Sequence, residues 1–259
     1  MQIRFHKYQG TGNDFVMIDD REETFPANDS KVIGFLCDRK MGVGADGVIL
    51  IQNHPTEDFR MIYFNPDGSK SLCGNGSRCA IAFAQSLGII DQKTTFETTD
   101  GIHDAFIEGD IYHFHLHDVG QVEQISDTDL FINTGSPHHI QLVDQVDQVD
   151  LLQVGRSIRY SDKYAPGGTN VNFVEKKEHG IKVRTYERGV ENETLSCGTG
   201  VTACALAAEQ LAYKSPITVE TKGGILMVSF EKDESNRYKN IYLAGPAKKV
   251  FEGVVEVPR

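Results

Sequence analysis

Two cysteines of this chain stand in the same local setting. Cys73 opens Cys73-Gly74-Asn75-Gly76, and Cys197 opens Cys197-Gly198-Thr199-Gly200. Each run leads into an Ala-rich segment, Gly76 to Leu87 and Gly200 to Ala212, whose residues are small or apolar nearly all round. A segment of that kind is expected to be a buried helix. A thiol at a helix start faces unpaired N–H groups at the positive end of the helix dipole, which favours thiolate. The glycines leave the amides of Gly74, Asn75, Gly198 and Thr199 free to converge on an anion such as a carboxylate. Two acid/base groups in equivalent settings suit a reaction whose substrate and product are mirror images at one carbon. One group removes a proton as base, and the other, protonated, delivers a proton to the opposite face. The α proton of an amino acid is far less acidic than a thiol. Such chemistry therefore needs a closed, dry, aligned site with the carboxylate held by oriented amides.

Other residues could complete a polar pocket. Asn65, before Pro66-Asp67-Gly68, and Asn170, at the end of Pro166-Gly167-Gly168-Thr169-Asn170, read as loop residues beside strand ends. In Glu187-Arg188 the Arg offers a forked donor for a carboxylate and the Glu an acceptor for an ammonium. Cys37, Cys79 and Cys204 read as core residues. GTGNDF and GVGADG lack the Lys-Ser/Thr of a phosphate loop and the context of a dinucleotide-binding turn, so they read as tight turns near the site. His113, His115 and His117 alternate along one strand face that reads as solvated, and no Cys/His spacing makes a metal site. The run Asp144 to Asp150 reads as a solvated approach to a helix.

The elements that must position these groups follow from hydrophobic periodicity. Apolar and polar residues alternate at Ile3 and Phe5, Phe59 to Phe64, Thr94 to Thr98, Ile111 to His117, Ile181 to Tyr186 and Leu226 to Phe230, which predicts half-buried, mostly antiparallel strands. The chain also repeats itself. The two Cys-Gly-x-Gly runs are offset by 124 residues. Phe96-Glu97-Thr98 with Gly101-Ile102 matches Val219-Glu220-Thr221 with Gly224-Ile225 at 123, and Thr11-Gly12-Asn13 matches Thr134-Gly135-Ser136 at 123. Three separated matches in one register argue for a duplicated unit. The expected class is α+β: two homologous halves, 1–117 and 118–250, each with a sheet around a central buried helix and related by approximate two-fold symmetry. A last strand within 251–259 is free to pack on either half.

A net charge of −11 with no Lys/Arg run speaks against nucleic acid or an anionic membrane surface as partner. No stretch approaches the length of a membrane span, and the N-terminal MQIRFHKYQG has no secretory apolar run, so a cytoplasmic protein is expected. Five cysteines, an odd number, read as reduced thiols.

The runs Cys73-Gly74-Asn75-Gly76-Ser77-Arg78-Cys79, Leu195-Ser196-Cys197-Gly198-Thr199-Gly200, Gly12-Asn13-Asp14-Phe15, Phe64-Asn65-Pro66-Asp67-Gly68 and Tyr186-Glu187-Arg188-Gly189 together resemble the diaminopimelate epimerase family. The resemblance covers essentially the full length. It implies interconversion of LL- and meso-2,6-diaminopimelate, on the route to lysine and peptidoglycan, without pyridoxal phosphate, metal or other cofactor. It also implies two barrel-like domains with the active site between them, and a homodimer. By motif, Cys73 and Cys197 correspond to the acid/base thiols, with His138 and Glu187 assisting their ionisation. Asn13, Asn65, Asn170, Glu187 and Arg188 correspond to substrate-binding residues, the last four toward the distal centre, and Gly74, Asn75, Gly198 and Thr199 to the cradle of the reacting carboxylate. The chain departs from many members in carrying Ser136-Pro137-His138 where they have Asn-Pro-His, which puts a shorter side chain at 136. Two alternatives stand beside this reading. One is a proline or hydroxyproline racemase using the same paired thiols, and the other is a binding protein that keeps the carboxylate cradle without proton transfer.

Overall fold

Both alternating and continuous apolar segments form strands, and the two kinds occupy different places. A computed structural model describes residues 1–257 and divides them into two units, Met1–Phe114 with the C-terminal segment from Gly245, and His115–Ala244. In the first unit the elements run β1 (Gln2–Gly10), β2 (Asn13–Asp19), α1 (Ser30–Cys37), β3 (Gly47–Gln52), β4 (Phe59–Phe64), α2 (Gly74–Ser86), β5 (Lys93–Thr98), β6 (Gly101–Glu108) and β7 (Ile111–Leu116, which runs just past the end of the unit). The β2–β3 and β4–β5 pairs are parallel, and the other neighbours, β1–β2, β3–β4, β5–β6 and β6–β7, are antiparallel. Each parallel pair is joined by a helix, α1 or α2, because a parallel return needs a long crossover. β3, Gly-Val-Ile-Leu-Ile-Gln, is buried at every position. Strict alternation does not find such a strand; a short apolar run flanked by turns does.

The second unit repeats this order. It contains β8 (Glu123–Gln124), β9 (Asp129–Asn133), β10 (Pro137–Val143), α3 (Leu151–Arg159), β11 (Asn170–Lys177), β12 (Gly180–Glu187), β13 (Asn192–Thr194), α4 (Gly198–Ala208), β14 (Ile217–Thr221), β15 (Gly224–Lys232) and β16 (Tyr238–Pro246). Its parallel pairs, β10–β11 and β12–β14, fall where the first unit has them. β17 (Lys248–Glu256) pairs antiparallel with β1 of the first unit. Of the C-terminal strand expected within 251–259, Pro258 and Arg259 lie outside the described residues.

The sheet of each unit wraps a helix. α2 lies against β1 to β4, and α4 against β9 to β12, β14 and β15. Every residue of α2 from Gly74 to Ala84 is buried, as is all of α4 except Thr199. The Ala-rich compositions make this possible, since small side chains let strands approach from all directions. Both helices begin two residues before the expected Gly76 and Gly200, immediately after the thiols. The second ends at Ala208, earlier than the expected Ala212, and a 3₁₀ turn (Glu209–Leu211) leads to Ala212 at φ 69°. The crossover helices carry acidic caps: Asp29 accepts from Lys31 N–H and Asp150 from Gln153 N–H.

One expected surface is corrected. His113 is not part of a solvated histidine face; it is buried and stacks on Phe106 with ring centroids 4.1 Å apart. Of the three only His117, just past the end of β7, is exposed, and His115 is half-buried. Within Asp144 to Asp150, Val146 is buried in a cluster with Leu151, Phe173 and Tyr186, while Asp144 and Asp147 stay exposed.

Candidate active site

Cys73 is the residue that caps α2, with extended backbone at φ −136° and ψ 110°. An extended residue before a helix aims its side chain across the first free N–H groups. Cys73 Sγ accepts from Gly76 N–H at 3.5 Å and donates to Asn13 Oδ1 at 3.5 Å. Asn75 Nδ2 donates to the same oxygen at 3.3 Å. Asn13 presents that oxygen because its Nδ2 is held by Asp46, which in turn takes Arg39 at 2.7 Å. Neighbouring Asp14 pairs with Lys7 and Arg39, both at 2.7 Å. Burial pushes the Asp14 carboxyl up, but hydrogen bonds from Arg39 and Lys7 outweigh it and hold the group at about 2.

Arg78 lies one helical turn into α2 and is completely buried. It donates to Asn75 Oδ1 at 2.9 Å, Thr11 Oγ1 at 3.1 Å and the Gly74 carbonyl at 3.4 Å. Burial lowers it to about 10, so it stays charged at neutral pH. It therefore places a cation behind the Cys73 turn and fixes Asn75. The signal for it was a lone Arg inside an otherwise apolar Ala-rich helix, where an unpaired charge is costly.

In the second unit Cys197 caps α4 with the same extended backbone, φ −113° and ψ 111°. Its surroundings differ. Cys197 Sγ lies 3.5 Å from Thr199 Oγ1, and that hydroxyl is 3.0 Å from His138 Nε2 and 3.2 Å from Ser136 Oγ. Ser136 Oγ is 2.9 Å from the same His138 nitrogen and receives Asn170 Nδ2 at 3.3 Å. The short Ser136 is thus turned inward on His138, Thr199 and Asn170. His138 is fully buried, and burial together with the charge of Arg188 lowers it to about 3, which makes it a neutral imidazole. The backbone N–H of Arg188 donates to Asn170 Oδ1 at 2.9 Å, and Glu187 accepts from Thr194 Oγ1 at 2.7 Å.

The structure therefore gathers the expected residues into two groups. Cys73, Asn13, Asn75 and the Gly74 turn belong to one; Cys197, Gly198, Thr199, His138, Asn170 and the start of Glu187-Arg188 belong to the other. Asn65 is engaged in its own turn, donating to Ser69 Oγ at 3.0 Å and Ser71 Oγ at 3.1 Å. Asn170 is the first residue of β11 and buried, rather than a loop residue. An open depression of about 640 Å³ lined by Glu23, Phe25, Asn28 and Gln52 contains none of these groups. The other thiols are poor candidates for proton transfer: burial pushes Cys37 up to about 11 and raises Cys79 and Cys204 further.

The family described as Diaminopimelate epimerase matches residues 5–125 and again 130–250. The chain is 49% identical over 258 residues to the diaminopimelate epimerase of Flavobacterium psychrophilum, covering 98% of this chain and 100% of that protein. It is 43% identical to that of Aquifex aeolicus, with 97% of each covered. Among solved structures it resembles a phenazine biosynthesis protein of the PhzF family from Bacillus anthracis, with a TM-score of 0.80 at 17% identity, covering 99% of this chain and 100% of that one. It also resembles a hydroxyproline epimerase from Agrobacterium vitis, with a TM-score of 0.71 at 13% identity over 98% and 92%. These structural likenesses carry the fold alone.

Proposed function

The chain belongs to the diaminopimelate epimerase family, and on that premise we propose that it interconverts LL- and meso-2,6-diaminopimelate by proton transfer between Cys73 and Cys197. The observation that carries this reading is the recurrence of one device: a thiol capping a buried helix, at equivalent positions of a duplicated fold, beside glycine-opened amides. In one direction, a thiolate takes the α proton and the pair of electrons stays on the α carbon. The other thiol then gives its proton to the opposite face and is left as thiolate, so charge and protons balance without any electron acceptor. Carbanion character spreads into the carboxylate, which the N–H groups of Gly74, Asn75, Gly198 and Thr199, at the two helix starts, would hold.

His138 and Glu187 would support the thiols' ionisation. Asn13, Asn65, Asn170, Glu187 and Arg188 would bind substrate, the last four reading its distal amino-acid end. Among the described residues no helix is long and apolar enough to cross a membrane. Our reading places the enzyme in the cytoplasm as a homodimer acting on small-molecule precursors of lysine and peptidoglycan.

The test is a substrate panel under reducing conditions. Conversion of LL-diaminopimelate to the meso isomer, with proline unchanged, is expected. Turnover of proline alone would move the substrate, and binding without turnover of either would reject the enzymatic reading.

A further inference from the structure

The side chain of Asn172, on β11, faces His138 from inside the second unit and is completely buried. Its orientation is set by its partners. Nδ2 donates to the His139 carbonyl oxygen at 2.9 Å, an atom that can only accept, and Oδ1 receives the Thr185 hydroxyl at 3.0 Å. The remaining Nδ2 proton meets His138 Nδ1 at 3.1 Å. That ring nitrogen must then be the unprotonated one, and a neutral His138 carries its single proton on Nε2. The Nε2–H lies between the Ser136 hydroxyl at 2.9 Å and the Thr199 hydroxyl at 3.0 Å. A hydroxyl that accepts from Nε2–H keeps its own proton for another acceptor, and Cys197 Sγ lies 3.5 Å from Thr199 Oγ1.

We infer that Asn172 is a positioning residue: it sets the Nε2–H form of His138 and thereby turns the Thr199 hydroxyl proton toward Cys197, so that the sulfur is hydrogen-bonded as an anion. The donors run in one direction, from Asn172 through His138 and Thr199 to the sulfur. In the opposite tautomer Nε2 would accept, drawing a hydroxyl proton to itself and away from Cys197.

The duplication supplies an internal comparison. Phe15 and Ile49 lie 123 residues before His138 and Asn172. They occupy the equivalent places, since a Cβ on Gly76 would meet Ile49 and Phe15, whereas one on Gly200 would meet Asn172 and His138. Behind the Cys73 turn the two places are thus held by the apolar Phe15 and Ile49, and the sulfur donates to the side-chain Oδ1 of Asn13. Cys73 has a side-chain acceptor in Asn13 where Cys197 has the Thr199 hydroxyl, so the two copies surround their thiols with different side chains.

This inference rests on the two-thiol reading, but its first test does not depend on activity. In nitrogen-15 NMR of the histidine-labelled full chain at neutral pH, His138 is expected to be protonated at Nε2 and bare at Nδ1; a wild-type signal with Nδ1 protonated overturns the inference. In Asn172→Asp, whose carboxylate can only accept, the proton should move onto Nδ1. Alkylation of Cys197 by iodoacetamide should slow by about ten-fold while that of Cys73 stays within about two-fold. The same variant should lose about ten-fold in kcat with KM within about three-fold. A moved tautomer with unchanged Cys197 reactivity would break the proposed coupling, and the Cys73 rate reports whether the variant is folded. Should alanine at Cys73 leave turnover intact, the two-thiol reading fails while the tautomer result stands by itself.

Discussion

Cys73 and Cys197 share a backbone setting but not a set of partners. Cys73 is half-buried beside Asn13, Asn75 and the buried cation of Arg78, whereas Cys197 is buried beside Thr199 and a neutral His138. Replacement of either by alanine is expected to lower epimerisation by about a thousand-fold or more, because removing one proton carrier leaves no route to the opposite face. The urea midpoint should hardly move. Iodoacetamide on the native protein should label Cys73 and Cys197 and spare Cys37, Cys79 and Cys204, whose burial raises their pKa values; peptide mass mapping checks this. The thiols were legible in the sequence because a repeated Cys-Gly-x-Gly before a repeated apolar helix is a local pattern. Arg78 left a signal as a lone charge in an apolar helix, but Asn172 did not, since it owes its meaning to groups remote in sequence, His138 and Thr185.

At the scale of elements, the two capped helices differ in what lies beneath their first turn. A Cβ at Gly200 would stand 2.6 Å from Asn172 Oδ1 and 3.3 Å from His138 Cε1, both held in a hydrogen-bonded network. At Gly76 it would stand 3.0 Å from the end of the Ile49 side chain, which can rotate away. Gly200→Ala is therefore expected to cost about 1–3 kcal/mol of stability and most of the activity, while Gly76→Ala costs less of both. Thermal melts and initial rates on the two variants check the order. The strands that alternate, such as β4, β5 and β12, were readable from the sequence. β3 and β11 were harder to read because they are covered on both faces, β3 throughout and β11 from Asn170 to Val174, which removes the alternation that marks a strand. The C-terminal strand had two sheets available to it by pattern, and only the β1–β17 register shows which one it joins.

For the molecule as a whole, buried ionisable groups make stability depend on pH. His138 is held at about 3 in the fold against 6.5 as its ordinary value, so between these the unfolded chain binds the extra proton and stability falls as pH falls. Asp14, held at about 2, stabilises the fold above 3.8, and that contribution is lost as pH drops through about 2. Urea midpoints should therefore decline from about pH 7 to about pH 4.5, and His138→Gln should flatten part of that decline. An unchanged slope in the variant would show that His138 titrates normally. The repeat made the duplicated plan visible at this scale. The difference between the two thiol settings was hidden, because it depends on which four side chains stand in the second copy where the first has Phe15, Ile49, Asn13 and Asn75.

The most direct measurement is the fate of deuterium when LL-diaminopimelate is turned over in heavy water and stopped early. Two thiols acting on opposite faces should yield meso product carrying solvent deuterium at the inverted carbon, with recovered substrate still largely protonated there. Equal deuterium in recovered substrate and product would point to a single base exchanging with solvent, and unlabelled product would mean the original proton is returned; either result contradicts transfer between Cys73 and Cys197.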